Sequence, residues 1–525
     1  MQELFYGGTI ITMTEPLTAE ALLVEDGTIL AAGDPSALSA MASPECIRTD
    51  LKGKTLMPSF IDPHSHFVQT AVAQLQLSVN GAESVEEIGG KVRQFLSERR
   101  LPDGQWLMVR DYDNNLLPNC ENPTISQLDA MAPRNPMLIA HKSGHMGLLN
   151  SAALEKVGIT AQTPQPDGGR IGMENGRLTG YLEENAFLNI AKKMPGPGPE
   201  ELVQGVRAAQ KTYLSHGITT AQEGMVPKEL LGAYRFLQTK GLPEIDIRLY
   251  PDTSAFKEAT EFFGRTPVNK KLRVGGIKMF LDGSPQGRTA WMRSPYEGSA
   301  DYCGYGTMTD EAVTAAMTMA AEQGCQIIAH CNGDAAAEQF LRCLEAVEKE
   351  YPRLRELRPV LIHAQLMGRD QLPRAARLGA MASFFAAHVY HWGDVHIRNF
   401  GPERADAISP ARSALASGLR FTFHQDAPVI EPDMLETIWC AVNRVTRGGK
   451  VLDGEKISVL DALKAVTVNG AYQYFEEDSK GILAPSYRAD LVILDQNPLQ
   501  IPASELRAIQ VEATYKDGVC LYRRK

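Results

Sequence analysis

Apolar and polar residues alternate over short runs at both ends of the chain. The runs "EALLVEDGTILAAG" and "IQVEATYKDGVCLYRR" each contain an Asp-Gly pair, Asp26-Gly27 in the first and Asp517-Gly518 in the second. An Asp-Gly pair between two apolar runs is a strong signal for a β-hairpin. The middle of the chain does not show this all-β pattern. We therefore predict one small β domain built from residues 1–55 and 478–525.

The centre of the chain alternates apolar runs of strand length with longer amphipathic stretches. This alternation is typical of βαβ units and a parallel sheet. Helices are predicted at "ELVQGVRAAQKTYLSH", "DEAVTAAMTMAAEQ", "DAAAEQFLRCLEAVEKE" and "RDQLPRAARL". The candidate strands are 55–61, 136–141, 217–222, 245–251, 274–281, 325–330, 359–364, 380–385 and 419–425. An eight-stranded barrel needs one strand fewer than this set provides.

A long interval after the first candidate strand identifies the extra one. About 150 residues separate Val68 from His216, far more than the loop and single helix of an ordinary crossover. The interval contains the strand 136–141 and a Gly-rich, hairpin-like piece, "PDGGRIGMENGRLTG". We therefore predict an inserted subdomain at 68–200, and an α/β fold in which residues 56–477 form an eight-stranded barrel.

Composition excludes several classes of protein. The 525 residues are 44% hydrophobic and 22% charged, as expected of a soluble globular protein. A net charge of −10 argues against nucleic acid or an anionic membrane as the main partner. No basic segment precedes an apolar signal-peptide core, and the eight cysteines show no metal-finger spacing. The expected compartment is the cytoplasm.

Two histidines one residue apart end the first candidate strand, in "SFIDPHSHF". On an extended chain alternate side chains share a face, so His64 and His66 can point at one position. Imidazole is the commonest protein ligand for metals such as zinc. Two solvated loop histidines are the alternative interpretation of this pair taken alone.

Polar residues recur at the carboxyl ends of the other candidate strands, where barrel active sites are built. Taken singly, each has an ordinary explanation: a hydrogen-bonded loop histidine, a snorkelling Lys278 or a helix cap at Asp426. Four separate strands that each present a histidine or carboxylate at the same end favour a metal site instead. The residues at these ends are His330, His363, His424, Asp426 and Asp282, and Lys278 lies within the strand 274–281.

Several longer stretches resemble one known family. "PSFIDPHSHF", "GITTAQEG", "GIKMFLDGSPQGRTA", "IIAHCNGDAA", "PVLIHAQ" and "HQDAPV" are similar to the amidohydrolase superfamily, and more narrowly to its branch of large metal-dependent hydrolases that includes N-substituted formamide deformylases. The resemblance covers essentially the whole chain. It implies a (β/α)8 TIM barrel, a β-sandwich formed by both termini and an insertion after barrel strand 1 that covers the active site.

The resemblance also implies a ligand set. The superfamily places an HxH pair on strand 1, a carboxylated lysine on strand 4, histidines on strands 5 and 6 and an aspartate on strand 8. In this chain the matching residues are His64, His66, Lys278, His330, His363 and Asp426. One or two divalent ions are implied, with zinc expected and carboxylated Lys278 as the bridging ligand. Asp426 is the implied catalytic acid and base.

The sequence indicates the substrate contacts less clearly than the metal ligands. "HKSGHMGLLNSAAL" in the insertion resembles a segment that closes over the active site, which makes His145 and, less directly, Asn150 candidates. The strand-8 residues His424-Gln425 depart from the usual small residue and serine. The exit of strand 7 is rich in histidine, with His388, His391 and His396 close together; these rings and His424 could contact substrate, compete as ligands or line a pocket wall. The substrate-side candidates are His145, Asp282, His388, Trp392 and His424.

These features predict an enzyme that cleaves a C–N amide-type bond, with an N-substituted formamide or a related small amide as substrate. A deaminase or cyclic-amidine hydrolase on the same barrel is the alternative. A non-catalytic binding protein is disfavoured because all six ligand positions are filled. The expected partners are a small-molecule substrate and, as for many soluble enzymes, a second copy in a homodimer.

Overall fold

The computed structural model describes residues 1–142, 146–166, 169–191, 193–266 and 270–525. Its strands, in chain order, are β1 (Gln2–Ile11), β2 (Thr18–Glu25), β3 (Thr28–Gly33), β4 (Ile47–Asp50), β5 (Thr55–Pro58), β6 (Phe60–Ile61), β7 (Leu77–Ser78), β8 (Leu107–Tyr112), β9 (Met137–His141), β10 (Met146–Leu149), β11 (Gly169–Glu174), β12 (Arg177–Glu184), β13 (Ile218–Val226), β14 (Asp246–Pro251), β15 (Leu272–Val274), β16 (Gly276–Phe280), β17 (Gln326–Cys331), β18 (Val360–His363), β19 (Met381–Phe384), β20 (Phe421–Phe423), β21 (Leu491–Leu494), β22 (Val511–Lys516) and β23 (Val519–Arg523).

The helices, in chain order, are α1 (Pro35–Met41), α2 (Phe67–Ala73), α3 (Val85–Arg99), α4 (Ile125–Met131), α5 (Ser151–Val157), α6 (Asn185–Ala191), α7 (Pro199–Ser215), α8 (Lys228–Thr239), α9 (Phe256–Phe263), α10 (Asp310–Glu322), α11 (Asp334–Glu350), α12 (Leu372–Arg377), α13 (His388–Asp406), α14 (Ala411–Ala416), α15 (Met434–Asn443), α16 (Val459–Ala465) and α17 (Val468–Gln473). The four predicted helices are confirmed as α7, α10, α11 and α12. Thr309 shows why α10 begins where it does, since its hydroxyl accepts the amide of Ala312. Among the described residues, no helix combines the length and apolarity needed to span a bilayer.

Strands from both termini pair in one sheet. Its order is β23-β22-β21-β5-β1-β2-β3, with β4 added beside β1. Both predicted hairpins are confirmed, and their turn residues Asp26, Gly27, Asp517 and Gly518 all have positive φ, as a two-residue hairpin turn requires. Hydrogen bonds join all eight strands in a single sheet, so the strand pairing does not by itself form the two sheets of a sandwich.

The predicted strand 55–61 is two strands that belong to different sheets. Residues Thr55–Pro58 pair with Leu491–Leu494 in the terminal sheet, whereas Phe60–Ile61 pairs with β13. The change occurs at consecutive amides, since Ser59 donates to the Asp490 carbonyl and Phe60 donates to the Gly217 carbonyl. Successive amides of an extended chain point in opposite directions, and here each direction meets a different sheet.

The other predicted barrel strands are present in the predicted order. They form two parallel sheets, β15-β14-β13-β6 and β16-β17-β18-β19-β20. In the described residues these hydrogen-bonded ladders do not close into one ring. The two sheets nevertheless surround a common interior, because the rings of His64, after β6, and His363, in β18, lie 5.6 Å apart.

Gly275 divides the predicted strand 274–281 between these two sheets. An added Cβ at this position would lie 2.6 Å from the Tyr250 ring, closer than side chains approach. Glycine therefore lets β15 stay beside β14 while β16 pairs with β17. The break lies immediately before the segment that carries Lys278.

The chain divides into two compact units, of which residues 71–206 form the second. This unit has its own sheet, β11-β12-β10-β9-β8-β7, and its own apolar clusters around Ile139 and Leu182. The extra strand 136–141 lies in this sheet as β9, and the Gly-rich piece forms the predicted β11–β12 hairpin. The first unit comprises residues 1–70 and 207–525.

Candidate metal centre

Three predicted ligands converge after β6 and β20. The Nε2 atoms of His64 and His66 lie 3.5 and 3.4 Å from the same oxygen, Oδ1 of Asp426. One ligand atom from each of the three residues lies within 4.8 Å of the others. Such spacing lets all three reach one cation in the middle.

Backbone contacts position these residues. The amide of His66 donates to the carbonyl of Ala427 over 2.7 Å, which ties the end of barrel strand 1 to the end of strand 8. Asp426 has φ of 57° and His363 has φ of 70°. Left-handed backbone at a residue with a side chain costs on the order of 1–3 kcal/mol and is concentrated at functional sites.

Gln222 and Glu223, in the middle of β13, contact the far side of the two strand-1 rings. The Nδ1 atom of His64 is 2.6 Å from Oε1 of Gln222, and Nδ1 of His66 is 3.3 Å from Oε1 of Glu223. Tyr234 donates its hydroxyl to the other carboxylate oxygen of Glu223 over 2.5 Å. The Gln222 oxygen accepts the Nδ1 proton of His64, so Nε2 is the atom of that ring left to bind a cation. At His66, Nδ1 faces the Glu223 carboxylate at ion-pair distance, and Nε2 faces Asp426.

Lys278 lies in the middle of the buried strand β16 with 2% exposure. Its Nζ has no hydrogen-bond partner among the described residues and lies 4.8 Å from the centre of the Phe280 ring. Burial lowers the pKa of Lys278 to about 7, against the attraction of Asp426. A large neutral-amine fraction is therefore present near neutral pH.

His330 lies at the end of β17, with its ring centre 4.6 Å from that of His363. Its Nε2 is 3.0 Å from the side-chain amide of Asn332 and 3.3 Å from the carbonyl of Gly283. Nδ1 is thus the ring atom that remains for a cation. Burial, with the charge of Lys278, lowers the pKa of His330 to about 3, so the ring is neutral as a ligand must be.

Burial and neighbouring charges shift the pKa values of Asp426 and the two strand-1 histidines. Burial raises the pKa of Asp426, although His66 and Lys278 oppose the shift. It lowers the pKa of His64 well below the ordinary value. Burial opposes protonation of His66 as well, but the contacts with Glu223 and Asp426 raise its pKa. A cation at the Nε2 atom of His66 would compete with that proton.

His363 and His424 contact each other within this interior. Nδ1 of His363 lies 3.1 Å from Nε2 of His424, and Nε2 of His363 lies 3.9 Å from Oδ2 of Asp426. We call His64, His66, Lys278, His330, His363 and Asp426 the rim cluster. Asp426 directs one oxygen to the strand-1 histidines and the other to His363.

Two predicted substrate contacts are buried behind this cluster. Asp282 accepts the backbone amides of Trp291, Asn332 and Gly333 over 2.7–3.0 Å, and its side chain has 0% exposure. His424 is also 0% exposed. The polar atoms of both side chains already have hydrogen-bond partners within the protein. The geometry therefore favours positioning roles for Asp282 and His424 over substrate contact.

His388 and Trp392 lie on the first turns of α13. Nδ1 of His388 hydrogen-bonds Oε1 of Gln365, and the amide nitrogen of Gln365 lies 3.3 Å from Nδ1 of His396. The Trp392 ring is partly exposed and lies 4.9 Å from that of His388. These rings therefore contact one another after strand 7, and their role towards a substrate stays a prediction.

Of the two candidates in the insertion, His145 lies outside the described residues. Asn150 is 1% exposed, and both polar atoms of its side chain are hydrogen-bonded within the second unit. Its Oδ1 accepts the amides of Met137 and Ala153, and its Nδ2 donates to two carbonyls. A helix-capping role explains this residue.

Gln222, Glu223 and Gln365 are site residues that the sequence pattern did not single out. A signal for the first two was present, because "AQEG" puts two polar residues at the end of an otherwise apolar strand in the same motif that carries the resemblance. Their full burial requires partners, and the histidines of strand 1 supply them.

Imidazoles and a carboxylate at the carboxyl ends of parallel strands define a class of protein, the metal-dependent hydrolases with α/β folds. The comparison with known sequences agrees: the profile of the Amidohydrolase family matches residues 49–522. The chain belongs to the amidohydrolase family. Membership implies a TIM barrel and a hydrolytic enzyme that acts on C–N bonds with a divalent metal.

Full-length relatives support this assignment. The putative amidohydrolase YtcJ of Bacillus subtilis is 29% identical over 547 residues and covers 100% of both chains. The N-substituted formamide deformylase of Arthrobacter pascens is 28% identical over 523 residues, or 96% of this chain and 95% of the relative. An uncharacterized metal-dependent hydrolase from Pyrococcus horikoshii has a structure with TM-score 0.79 at 25% identity, covering 96% of this chain and 99% of its own.

Proposed function

We propose that the protein hydrolyses an N-substituted formamide or a related small amide. The observation that carries the proposal is the convergence of His64, His66 and Asp426, whose ligand atoms lie within 4.8 Å of one another. The substrate class follows from similarity to the Arthrobacter deformylase over nearly the whole chain.

A divalent cation, with zinc as the proposed metal, fits the donor atoms of the rim cluster. Oδ1 of Asp426 is buried without a hydrogen-bond partner among the described residues and faces two imidazole nitrogens at 3.4 and 3.5 Å. A buried carboxylate without a compensating charge is costly. His64, His66 and Asp426 would hold one ion, and His330 with His363 a second. A bound divalent ion lowers the pKa of water and withdraws charge from a carbonyl oxygen.

Lys278 is proposed to join the two ligand groups as a carbamate. Its neutral amine adds carbon dioxide with loss of one proton, which turns a neutral group into an anionic oxygen donor. The buried Nζ without a partner and the pKa of about 7 favour this reaction near neutral pH. An uncarboxylated Lys278 would leave the one-ion arrangement on His64, His66, His330 and Asp426.

Asp426 is the proposed proton carrier. Its carboxylate takes the proton of the attacking water and returns it to the nitrogen of the leaving amine. Burial raises the pKa of Asp426, which makes it a better base than an exposed aspartate. His388 and Trp392 are proposed to line the substrate side, and the partly exposed Trp392 ring offers an apolar surface to an N-substituent.

Several finer features of architecture and context belong to this proposal. The two parallel sheets are proposed to act as one (β/α)8 barrel, the terminal sheet as the family's β-sandwich domain, and the insertion as the cover of the active site, with His145 on its substrate side. A cytoplasmic homodimer with a small-molecule substrate is the proposed state.

Hydrolysis after metal exchange tests this function. Protein stripped with a chelator and refilled with zinc, manganese or cobalt is assayed on N-benzylformamide, N-butylformamide and matched acetamides, with formate, amine and ammonia measured. Metal-dependent release of formate and a substituted amine is expected. Release of ammonia from amidines or amino-heterocycles instead would assign a deaminase, and no turnover in any metal form would contradict the proposal.

A further inference from the structure

His424 connects three neighbouring strands inside the parallel sheet. Its Nδ1 lies 2.8 Å from the hydroxyl of Ser383 on β19, and its Nε2 lies 3.1 Å from Nδ1 of His363 on β18. Ser383 is paired with Ile362 of β18 on one side and Thr422 of β20 on the other. The contacts therefore form a chain of three side chains, Ser383, His424 and His363, which we call the relay.

The relay requires a curved sheet. Strands two positions apart in a flat sheet are separated by about 9.5 Å, yet the rings from strands 6 and 8 have centres only 5.0 Å apart. Both rings are essentially inaccessible, with His363 at 3% and His424 at 0% exposure. A substrate that approaches the rim cluster cannot reach the nitrogens of His424 without displacing its partners.

Two ring nitrogens at hydrogen-bond distance share one proton, so the relay has two arrangements. In the first, Nδ1–H of His363 donates to Nε2 of His424, whose own Nδ1–H donates to Ser383. In the second, the Ser383 hydroxyl donates to His424, which donates to Nδ1 of His363, and the remaining proton lies on Nε2 of His363. Only the first arrangement leaves Nε2 of His363 free, facing Asp426.

Resting on the proposed function, we infer that His424 is a positioning residue: it holds His363 in the Nδ1–H form and directs Nε2 at the cation site, with Ser383 supporting it from strand 7. This role differs from the substrate contact expected of His424 from the sequence. Hydrogen-bond acceptors behind a metal-binding histidine commonly change metal affinity about 10–100-fold.

The experiment is a Co²⁺ titration of metal-stripped protein, followed by the visible spectrum and by competition with a chelating dye. In His424→Leu the acceptor is lost, and the ion held through His363 should bind about 10–100-fold more weakly. In His424→Gln the side-chain carbonyl can still accept from Nδ1–H, so most of the affinity should return. Ser383→Ala should lower the affinity for the same ion by a smaller factor.

His216→Gln is the matched control, because His216 is partly exposed and contacts only Glu431 and Asp433 among charged groups of the described residues, at 3.9 Å. The Co²⁺ titration curve of His216→Gln should superimpose on that of the wild type. Should His424→Leu not fold, His424→Asn replaces it, because asparagine is too short to reach Nδ1 of His363 whereas glutamine is not.

The outcomes separate the relay from the proposed function. Wild-type cobalt affinity and spectrum in His424→Leu or His424→Asn overturn the relay and leave the hydrolase proposal intact. The relay is likewise overturned if the wild type takes a single ion that these variants bind equally well. A wild-type protein that binds no cobalt overturns the proposed function itself.

Discussion

Two clusters of buried charged side chains lie in the first unit, at opposite ends of the parallel strands. One is the rim cluster. The other, which we call the charge network, begins at the first residue of β14 and consists of Asp246, Arg248, Arg273, Glu476, Lys480, Arg488 and Lys516. Both contain lysine and carboxylate groups, and the key members of both are almost fully buried.

The two clusters differ in how their charges are partnered. In the charge network, Oδ2 of Asp246 lies 2.5 Å from Lys480 and 3.1 Å from Lys516, and these cations hold the pKa of Asp246 well below its usual range despite burial. In the rim cluster, burial prevails and raises the pKa of Asp426. The lysines differ likewise: the pKa of Lys516 is raised by Asp490 and Asp246 against burial, and that of Lys278 is lowered.

The contrast separates a structural role from a functional one. A buried charge network with its partners in place supports the fold, and the amino end of barrel strands is where such support is expected. At the carboxyl end, Asp426 has only histidine rings within ion-pair distance, and the buried amine of Lys278 pairs with no carboxylate in the described part of the chain. A buried carboxylate with no lysine or arginine partner points to a missing cation. Lys480 is an intermediate case, because burial lowers its pKa to about 8 even beside Asp246 and Glu476.

The largest expected effect is on turnover, in Asp426→Asn. Removing the proton carrier should cut kcat about 10²–10⁴-fold. The free energy of unfolding in the absence of metal should not decrease, because the lost group is a buried carboxylate that pairs only with histidine rings in the described residues. Formamide hydrolysis and guanidinium denaturation measure the two quantities. Asp370→Asn, at a 68% exposed residue paired with Arg293, is the control; turnover of Asp426→Asn within about twofold of wild type would remove its assigned role.

Asp246→Asn should show the opposite behaviour. Lys480 and Lys516 would lose their common carboxylate, and breaking one side of a buried ion pair costs about 3–5 kcal/mol. Guanidinium denaturation should show this loss, while kcat per folded molecule stays near wild type. Asp310→Asn, which removes an exposed pair with Arg342, should cost less than about 1 kcal/mol. Equal losses in the two variants would contradict the assignment of the charge network.

Stability against acid should depend on the charge network. Neighbouring cations lower the pKa of Glu476 from 4.5 to about 2 although burial opposes them. A carboxylate with a lowered folded-state pKa adds stability above its unfolded pKa and loses it as pH falls through the folded value. The melting temperature should therefore fall from about pH 4.5 towards about pH 2, with a shallower slope in Glu476→Gln. Parallel curves for variant and wild type would refute this origin.

The smallest effect is expected at Glu223, which contacts a rim ligand from behind. Glu223→Gln keeps the shape but removes the charge facing Nδ1 of His66, and zinc affinity should fall about 10–100-fold. Competition of zinc-loaded protein with a chelating dye gives the affinity. Glu258→Gln, at a 47% exposed residue paired with Arg235, is the control, and unchanged zinc affinity in Glu223→Gln would show that the Glu223 contact is structural only.

The sequence was sufficient for features that depend on local pattern. The strand segments of the two parallel sheets, both Asp-Gly hairpins and the separate sheet of the insertion follow from alternation, turn residues and interval lengths. Lys278 was detectable because a charge inside an apolar strand is unusual. The proximity of His64 and His66 follows from their spacing alone.

Features that depend on partners far away in the chain could not be predicted from the sequence. The division of 55–61 at Ser59 depends on which sheet each amide meets. Asp282 accepts hydrogen bonds from three backbone amides, and His424 contacts Ser383 and His363. These partners lie on loops and strands far away in the chain. Burial of these two side chains favours a positioning role over the substrate contact predicted from the sequence.

Zinc binding at equilibrium tests the central claim most directly. Metal-stripped wild-type protein and a His64→Gln/His66→Gln double variant are dialysed against low-micromolar Zn²⁺, and bound zinc per chain is measured by elemental analysis. The contrast between the two clusters predicts at least one zinc per wild-type chain and loss of that zinc in the double variant. Wild-type protein with no more zinc than the double variant would contradict the claim that the rim cluster is built for a cation.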